Sequence, residues 1–230
     1  MSVSVIIPFR DRGRDPNRAA NLKRVLEHWE GFAEVQVVDD GRTGDAQFNR
    51  SAAYNRGMRL TNADILVYAE SDLIVPFDQI LEGVALATSP GLVVPFSRFL
   101  AMEPRDSELV RQHVIQPSDA LAQQMRGDRQ SIGAVNIVSR ESVGAIGQWP
   151  EEFEGAWFDD DSCELAFRMC CGPTRFVDGP GYHLFHLSGA QGEHLTDADR
   201  AATAANQARF ELYRQAESPD RIRELTAGRS

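Results

Sequence analysis

The chain has 230 residues, 42% of them hydrophobic and 25% charged, which suits a globular protein with a buried core and is too apolar for a disordered one. Thirty-four acidic residues against 24 basic ones give a net charge of −10, which argues against nucleic-acid binding as the main task, since phosphate backbones call for clustered Lys and Arg. Cys163, Cys170 and Cys171 make a poor disulfide framework and point to a reducing, cytoplasmic setting, and no apolar run approaches the roughly 20 residues of a membrane helix.

The opening residues read as Met plus a strand, without the basic and long apolar regions of a secretory signal. Val3 to Phe9 is a β-branched run that suits a buried strand. Asp15 followed by Pro16 reads as an N-cap and first helical residue, and Leu22, Val25, Leu26 and Trp29 follow at helical spacing up to Gly31. Val35 to Val38 predicts a second strand closed by Asp39-Asp40-Gly41, and Phe48 to Leu60 a helix. Residues 63–72 predict a third strand ending in acids, 77–87 a helix and 91–96 a fourth strand. The alternation predicts an α/β fold with a mostly parallel central sheet, whose ligands sit beyond the carboxyl ends of the strands. The polar clusters at 10–12, 39–40 and 70–72 all fall there. The stretch 98–131 is polar and weakly periodic and predicts loops with a short helix, in the manner of a lid. A strand over 132–138, a helix over 160–171 with Cys163, Phe167 and Cys170 on one face, and a strand near 174–178 follow. Thr196 with Asp199 reads as a capping box opening a helix to Gln215, and the last ten or so residues are expected to fray.

Four constellations carry chemistry. Glu70-Ser71-Asp72 places two carboxylates one residue apart, on the same side of an extended chain, as hard ligands for Mg²⁺ or Mn²⁺; acids at a strand end are also ordinary turn residues. His183 and His186, three apart, converge on one metal if the segment turns, and with Asp72 they would form a mixed nitrogen and oxygen site that tilts towards Mn²⁺. Without a metal they read as two satisfied histidines. Asp159-Asp160-Asp161 would raise the pKa of at least one member and so favour a general base, or would serve as helix N-terminal acids. Phe9, Arg10, Arg12 and Arg50 suggest recognition of a diphosphate, or ion pairs with the neighbouring acids. No P-loop, GxGxxG, GxSxG or CxxC is present.

Taken together, "IIPFRDR" at 6–12, "FNRSAAYNRG" at 48–57, "ESDLIVP" at 70–76, "IGAVNIVSRESVGAIGQWPEEFEGAW" at 132–157 and "HLFH" at 183–186 resemble a GT-A glycosyltransferase of the family 2 type, specifically the catalytic domain of the β-1,4-galactosyltransferases, over about residues 3–190. "ELAFRMCCG" at 164–172 also resembles the polypeptide N-acetylgalactosaminyltransferases, which retain anomeric configuration where the galactosyltransferases invert it.

The resemblance implies a single Rossmann-like GT-A domain. Residues 1–97 would form its nucleotide-sugar half, 98–195 its acceptor and catalytic half, and 196–230 a C-terminal helix and tail. It implies a UDP-sugar donor held by Pro8, Phe9, Arg10, Arg12, Asp40, Phe48, Arg50 and Glu70, with Trp157 stacking on a sugar. It implies Mn²⁺ (or Mg²⁺) on Asp72, His183 and His186, and a base among the acids, Asp160 or Asp161. Glu70 replaces the first Asp of the family's DxD element, His183 replaces its Met, and the acidic triplet is offset, so the base is not fixed to one residue. The acceptor would be a hydroxyl of a saccharide, protein, lipid or modified nucleobase. A nucleotidyltransferase would need a Gly-rich, Lys-containing opening that is absent, and a sugar-nucleotide-binding module without catalysis leaves the acidic triplet unexplained.

Overall fold

Alternation along the central strands decides which face of the sheet each side chain enters. The computed structural model describes residues 1–125 and 131–228. Strand β1 (Val3–Pro8) leads to helix α1 (Pro16–Trp29), whose N-cap Asp15 accepts from the Asn17 N–H as expected. Strand β2 (Glu34–Val38), helix α2 (Arg50–Leu60), strand β3 (Ile65–Ala69), a two-residue strand β4 (Leu73–Ile74), helix α3 (Phe77–Leu86) and strand β5 (Val93–Val94) follow.

The stretch expected to be mostly loop holds strand β6 (Arg98–Met102), helix α4 (Pro104–Arg111) and strand β7 (Ala122–Gln124); its residues 126–130, and with them part of the expected lid, lie outside the described residues. Beyond it come β8 (Val135–Ser139), α5 (Arg140–Ile146), α6 (Asp159–Cys171), β9 (Arg175–Phe176), β10 (Pro180–His183), α7 (Asp197–Arg214) and α8 (Pro219–Thr226).

The central sheet runs β2-β1-β3-β8-β5-β9. It is parallel except for β8, which pairs antiparallel with β3 and with β5. A second sheet, β4-β10-β6-β7, accounts for the short strands of the middle stretch: β6 pairs with the distant β10, and β7 pairs with β6. Val5, Ile7, Val67 and Ala69 enter one core with Val25 and Trp29 of α1 and Ile80 of α3. Ile6, Leu66 and Tyr68 enter the other with Tyr54, Trp149, Phe167 and Tyr213. Helix α2 lies so close to β1 that a Cβ on Gly57 would stand 2.4 Å from Ile6, which explains a glycine inside a helix where it otherwise weakens the element.

The frayed tail expected from the polar C-terminus is a helix instead. Ser218 caps α8 through the Arg221 N–H, Pro219 occupies its first turn, and Ile222 and Leu225 are buried. The polar residues are its outer face; the apolar pair, three apart, is its anchor. Residues 229–230 lie outside the described residues.

Candidate active site

The carboxyl ends of β1 and β3 open on a cavity of about 650 Å³. Among the sequence-selected residues, Pro8, Phe9, Arg10, Arg12, Phe48, Arg50, Glu70, Asp72, Trp157, Asp160, Asp161, His183 and His186 all line it. Asp40 stands behind it: its carboxylate accepts from Arg10 Nε at 2.8 Å and from the Asn49 N–H at 2.9 Å. Asp40 therefore fixes Arg10 rather than facing the cavity. Arg10 lies over the Phe48 ring at 5.9 Å from its centroid, a cation–π arrangement.

Glu70 and Asp72 do not share a side. The chain leaves β3 after Ala69 and turns, so Glu70 meets Arg50 while Asp72 meets the histidines. Extended-chain spacing misled here because 70–72 is a turn. Asp72 is 3% exposed. Its Oδ2 lies 3.1 Å from His186 Nε2, its Oδ1 lies 3.7 Å from His183 Nε2, and the two Nε2 atoms are 3.2 Å apart. His186 Nδ1 lies 2.7 Å from the Leu187 carbonyl. That contact assigns the ring hydrogen to Nδ1 and turns the Nε2 lone pair towards a carboxylate oxygen. Two lone pairs meeting in this way need a cation between them, a proton or a metal.

Burial opposes the charged form of Asp72, but His186 outweighs it and holds the carboxyl well below its usual range. Burial likewise opposes protonation of His186, and Asp72 outweighs it and raises the imidazole. His183 is pushed down to about 4 by burial, which leaves it neutral and free to donate a lone pair. Asp72 Oδ1 is buried with no hydrogen-bond partner among the described residues. An orphaned carboxylate oxygen beside the neutral His183 nitrogen, with His186 Nε2 able to exchange its proton for a metal, is a donor set that fits a divalent ion, and the three residues form a metal-competent cluster.

The acidic triplet opens α6, and the structure separates its members. Asp159 is 6% exposed and grips Arg50, with Oδ2 2.8 Å from Nε and 2.6 Å from one terminal nitrogen. Asp160 Oδ2 lies 2.6 Å from the same nitrogen and lines the cavity, as does Asp161. Burial raises Asp160 to about 6, Arg50 opposes the shift, and the neighbouring Asp159 and Asp161 add to it. A carboxyl in this range suits a general base near neutral pH. Arg50, which sequence reasoning assigned to a diphosphate, is engaged by Glu70, Asp159 and Asp160. The approach to α6 is strained: Trp157 and Phe158 both have φ of 70°, the left-handed region that costs about 1–2 kcal/mol for a side-chain-bearing residue. Asn206 holds this turn by donating to the carbonyls of Glu154, Ala156 and Trp157, and Trp157 is left 48% exposed on the cavity rim.

Gly133 carries a prediction. A Cβ there would stand 2.4 Å from Asp160 Oδ2, so Gly133→Ala is expected to swing Asp160 out of place and cut kcat by about 10²-fold, the cost of a small misplacement of a reacting group. The assay is paired with a melting curve, where little change is expected.

Several residues escaped the sequence reading. Arg14, Arg18, His194 and the segment 187–190 line the cavity. Arg18 donates to the Leu187 carbonyl at 3.3 Å and adds positive charge beside Asp72 and both histidines. Asp199 was legible only as a cap. It does complete the capping box with Thr196, but it also accepts from Arg12, Arg14 and Gln47, tying the start of α7 to the loop after β1. Burial opposes its charge, and bonds from Thr196, Gln47 and Arg12 outweigh it, so its carboxyl sits well below the usual value. A depressed folded-state pKa gives stability that is present above the unfolded value and is lost as pH falls. Asp199→Ala is expected to cost about 3 kcal/mol, the scale for breaking a buried ion pair, read as a drop in melting temperature that shrinks in acid.

No protein-family model and no curated protein matches the sequence. Solved structures do. The catalytic domain of Drosophila β1,4-galactosyltransferase 7, in complex with xylobiose, superposes with a TM-score of 0.58 at 14% identity, covering 95% of this chain and 83% of that one. A variant of the same enzyme with manganese, UDP-Gal and xylobiose gives 0.54 at 14% identity, over 95% and 83%. Glucosyl-3-phosphoglycerate synthase from Mycobacterium tuberculosis, with Mn²⁺, UDP-glucose and phosphoglyceric acid, gives 0.55 at 14% identity, over 96% and 79%. At this identity the likeness establishes the fold: the chain has the GT-A fold of these glycosyltransferase structures, as its motifs implied. No helix among the described residues is long and apolar enough to cross a membrane.

Proposed function

We propose that the chain is a metal-dependent glycosyltransferase that moves a sugar from a UDP-sugar to an acceptor hydroxyl, with inversion at the anomeric carbon. One observation carries the reading: a single cavity of the GT-A fold holds both the Asp72–His183–His186 cluster and Asp160, a carboxyl poised near neutral pH. The solved structures of like fold contain Mn²⁺ and UDP-sugars in their own sites, which supports the donor class.

Asp72, His183 and His186 would hold the ion, Mn²⁺ or Mg²⁺, and when bound it supplies positive charge to the leaving diphosphate. Arg10, Arg12 and Arg18 add fixed positive charge around the donor, and Phe9 and Phe48 supply flat apolar surface for the nucleotide. Pro8 ends the strand that places Phe9. Trp157 stacks on a sugar face. Asp160 takes the proton from the acceptor hydroxyl as its oxygen bonds to the anomeric carbon; the bond from that carbon to the phosphate oxygen breaks, and UDP leaves with the electron pair. Asp161 lines the same wall and is the second candidate for this role. Arg50 orients Asp160 and Glu70. In this reading residues 1–97 bind the donor, 98–195 supply the acceptor side and the base, and the C-terminal helices, up to residue 228, brace both, in a cytoplasmic protein.

The test is a panel of UDP-sugars incubated with Mn²⁺ or Mg²⁺, with UDP release as the readout. Metal-dependent release from one donor is expected. UDP binding without release from any donor would instead mark a binding module without catalysis.

A further inference from the structure

A second cavity, of about 320 Å³, is walled in part by the β4–β10 pair, whose ends adjoin the metal-competent cluster. Ile74 and Tyr182, cross-strand partners in the β4–β10 pair, form its wall. His183, the next residue of β10, faces the main cavity instead, as alternation along a strand requires. Helix α1 contributes Arg24 and His28, four residues apart and so on one helix face. The His28 ring stacks on Phe77 at 4.4 Å, and its Nε2 lies 2.9 Å from the Val75 carbonyl. That contact places the ring hydrogen on Nε2 and leaves Nδ1 as an acceptor.

Arg24 is the odd member. It is half-buried, and its Nε donates to the Val110 carbonyl at 3.2 Å. It forms no other hydrogen bond and no ion pair among the described residues. Glu27, the acid whose charge it feels, contacts His113 at 2.9 Å and Lys23 at 4.0 Å instead. A half-buried guanidinium with no direct ion pair leaves its terminal nitrogens, a planar fork suited to a carboxylate or phosphate, open to a ligand. Beside it stand the edge of an aromatic stack, in which Phe77 lies between His28 and Phe32, and the polar side chains of Gln116 and Ser118.

We propose that this cavity is a binding site for a small organic anion, a carboxylate or phosphate on a flat apolar body. Arg24 meets the anionic group, and Ile74, Tyr182 and the edge of the His28–Phe77 stack meet the body. The site shares no residue with the main cavity, so it stands or falls independently of the activity proposed above.

The test titrates the full chain with benzoate and with phenyl phosphate, followed by calorimetry and by the NMR signals of the His28 ring; the two probes distinguish the anionic groups. Saturable binding of at least one probe that shifts the His28 signals is expected. Arg24→Gln is expected to weaken it tenfold or more, Arg24→Lys less, and benzyl alcohol to bind far more weakly. Phe77→Leu, which removes the edge of the aromatic stack but keeps the charge, is the second variant and is expected to weaken the same probe. Asp72→Asn is expected to leave the affinity unchanged. Absence of saturable binding by either probe, equal affinity in Arg24→Gln and Phe77→Leu, or loss of binding in Asp72→Asn would each overturn the assignment.

Discussion

Asp72→Ala is expected to abolish UDP-sugar turnover, by about 10³-fold or more, the scale of losing a principal charge stabiliser of the transition state, while the chain stays folded. The fold is expected to survive because the neighbouring backbone remains pinned: the Asp72 carbonyl accepts from the Leu184 N–H at 2.8 Å, and His186 Nδ1 keeps its contact with the Leu187 carbonyl. What goes is the buried carboxylate on which both imidazoles converge. Excess EDTA is expected to silence the parent in the same way, and Mn²⁺ to raise the melting temperature of the parent but not of the variant. Full activity in EDTA would return Asp72 to the role of a turn residue. His186→Ala is expected to raise the metal requirement sharply. His183→Met is expected to leave a working site that prefers Mn²⁺ more strongly, because a thioether suits a softer ion. The raised pKa of His186 adds a pH dependence: a proton on this imidazole competes with the ion, so metal affinity is expected to fall as pH drops.

What was legible in the sequence was the local chemistry, and what was not was the pairing across distance. Buried strands such as β1 and β3 announce themselves by β-branched runs, and Asp15-Pro16 and Thr196 with Asp199 announce helix starts, since caps are local. The short strands β4, β6 and β7 do not, because two to five residues become strands only when a distant partner arrives, β10 beside β4 and β6, and β6 beside β7. The start of α8 was legible in principle, in Ser218-Pro219, but its polar outer face masked the anchor. Charged groups at strand ends stand out in a sequence, and most of the residues selected on that ground line one cavity. Their partners do not stand out: Arg12 and Asp199 are 187 residues apart, and nothing local marks such a pair. The acidic triplet shows the limit most clearly, since three adjacent, identical side chains carry no sequence signal of which one faces inward.

That ambiguity yields the last prediction. Asp→Asn keeps size and removes the basic carboxylate, so Asp160→Asn is expected to lower kcat by about 10²–10⁴-fold with donor KM little changed. Asp159→Asn is expected to show the opposite pattern. Helix α6 takes no side-chain cap, so Asp159 acts through its grip on Arg50, and weakening that buried pair costs about 3 kcal/mol of stability with a smaller effect on kcat. Asp161→Asn, on the cavity wall, reports whether the base role is shared.

The pH profile decides further. Asp160 must be ionised to accept a proton, so the parent rate is expected to rise with pH through about 6, and the residual rate of Asp160→Asn to lack that limb. Stability runs the other way. A carboxyl raised from 3.8 to about 6 on folding binds more protons in the folded than in the unfolded state between those values, so its contribution to stability falls as pH rises through that window. Asp160→Asn is therefore expected to lose this slope, and at neutral pH to melt no lower than the parent, because Arg50 keeps Asp159 and Glu70. Near-parent kcat in all three Asn variants would place the base elsewhere, or assign a mechanism that retains configuration and needs no base from the protein.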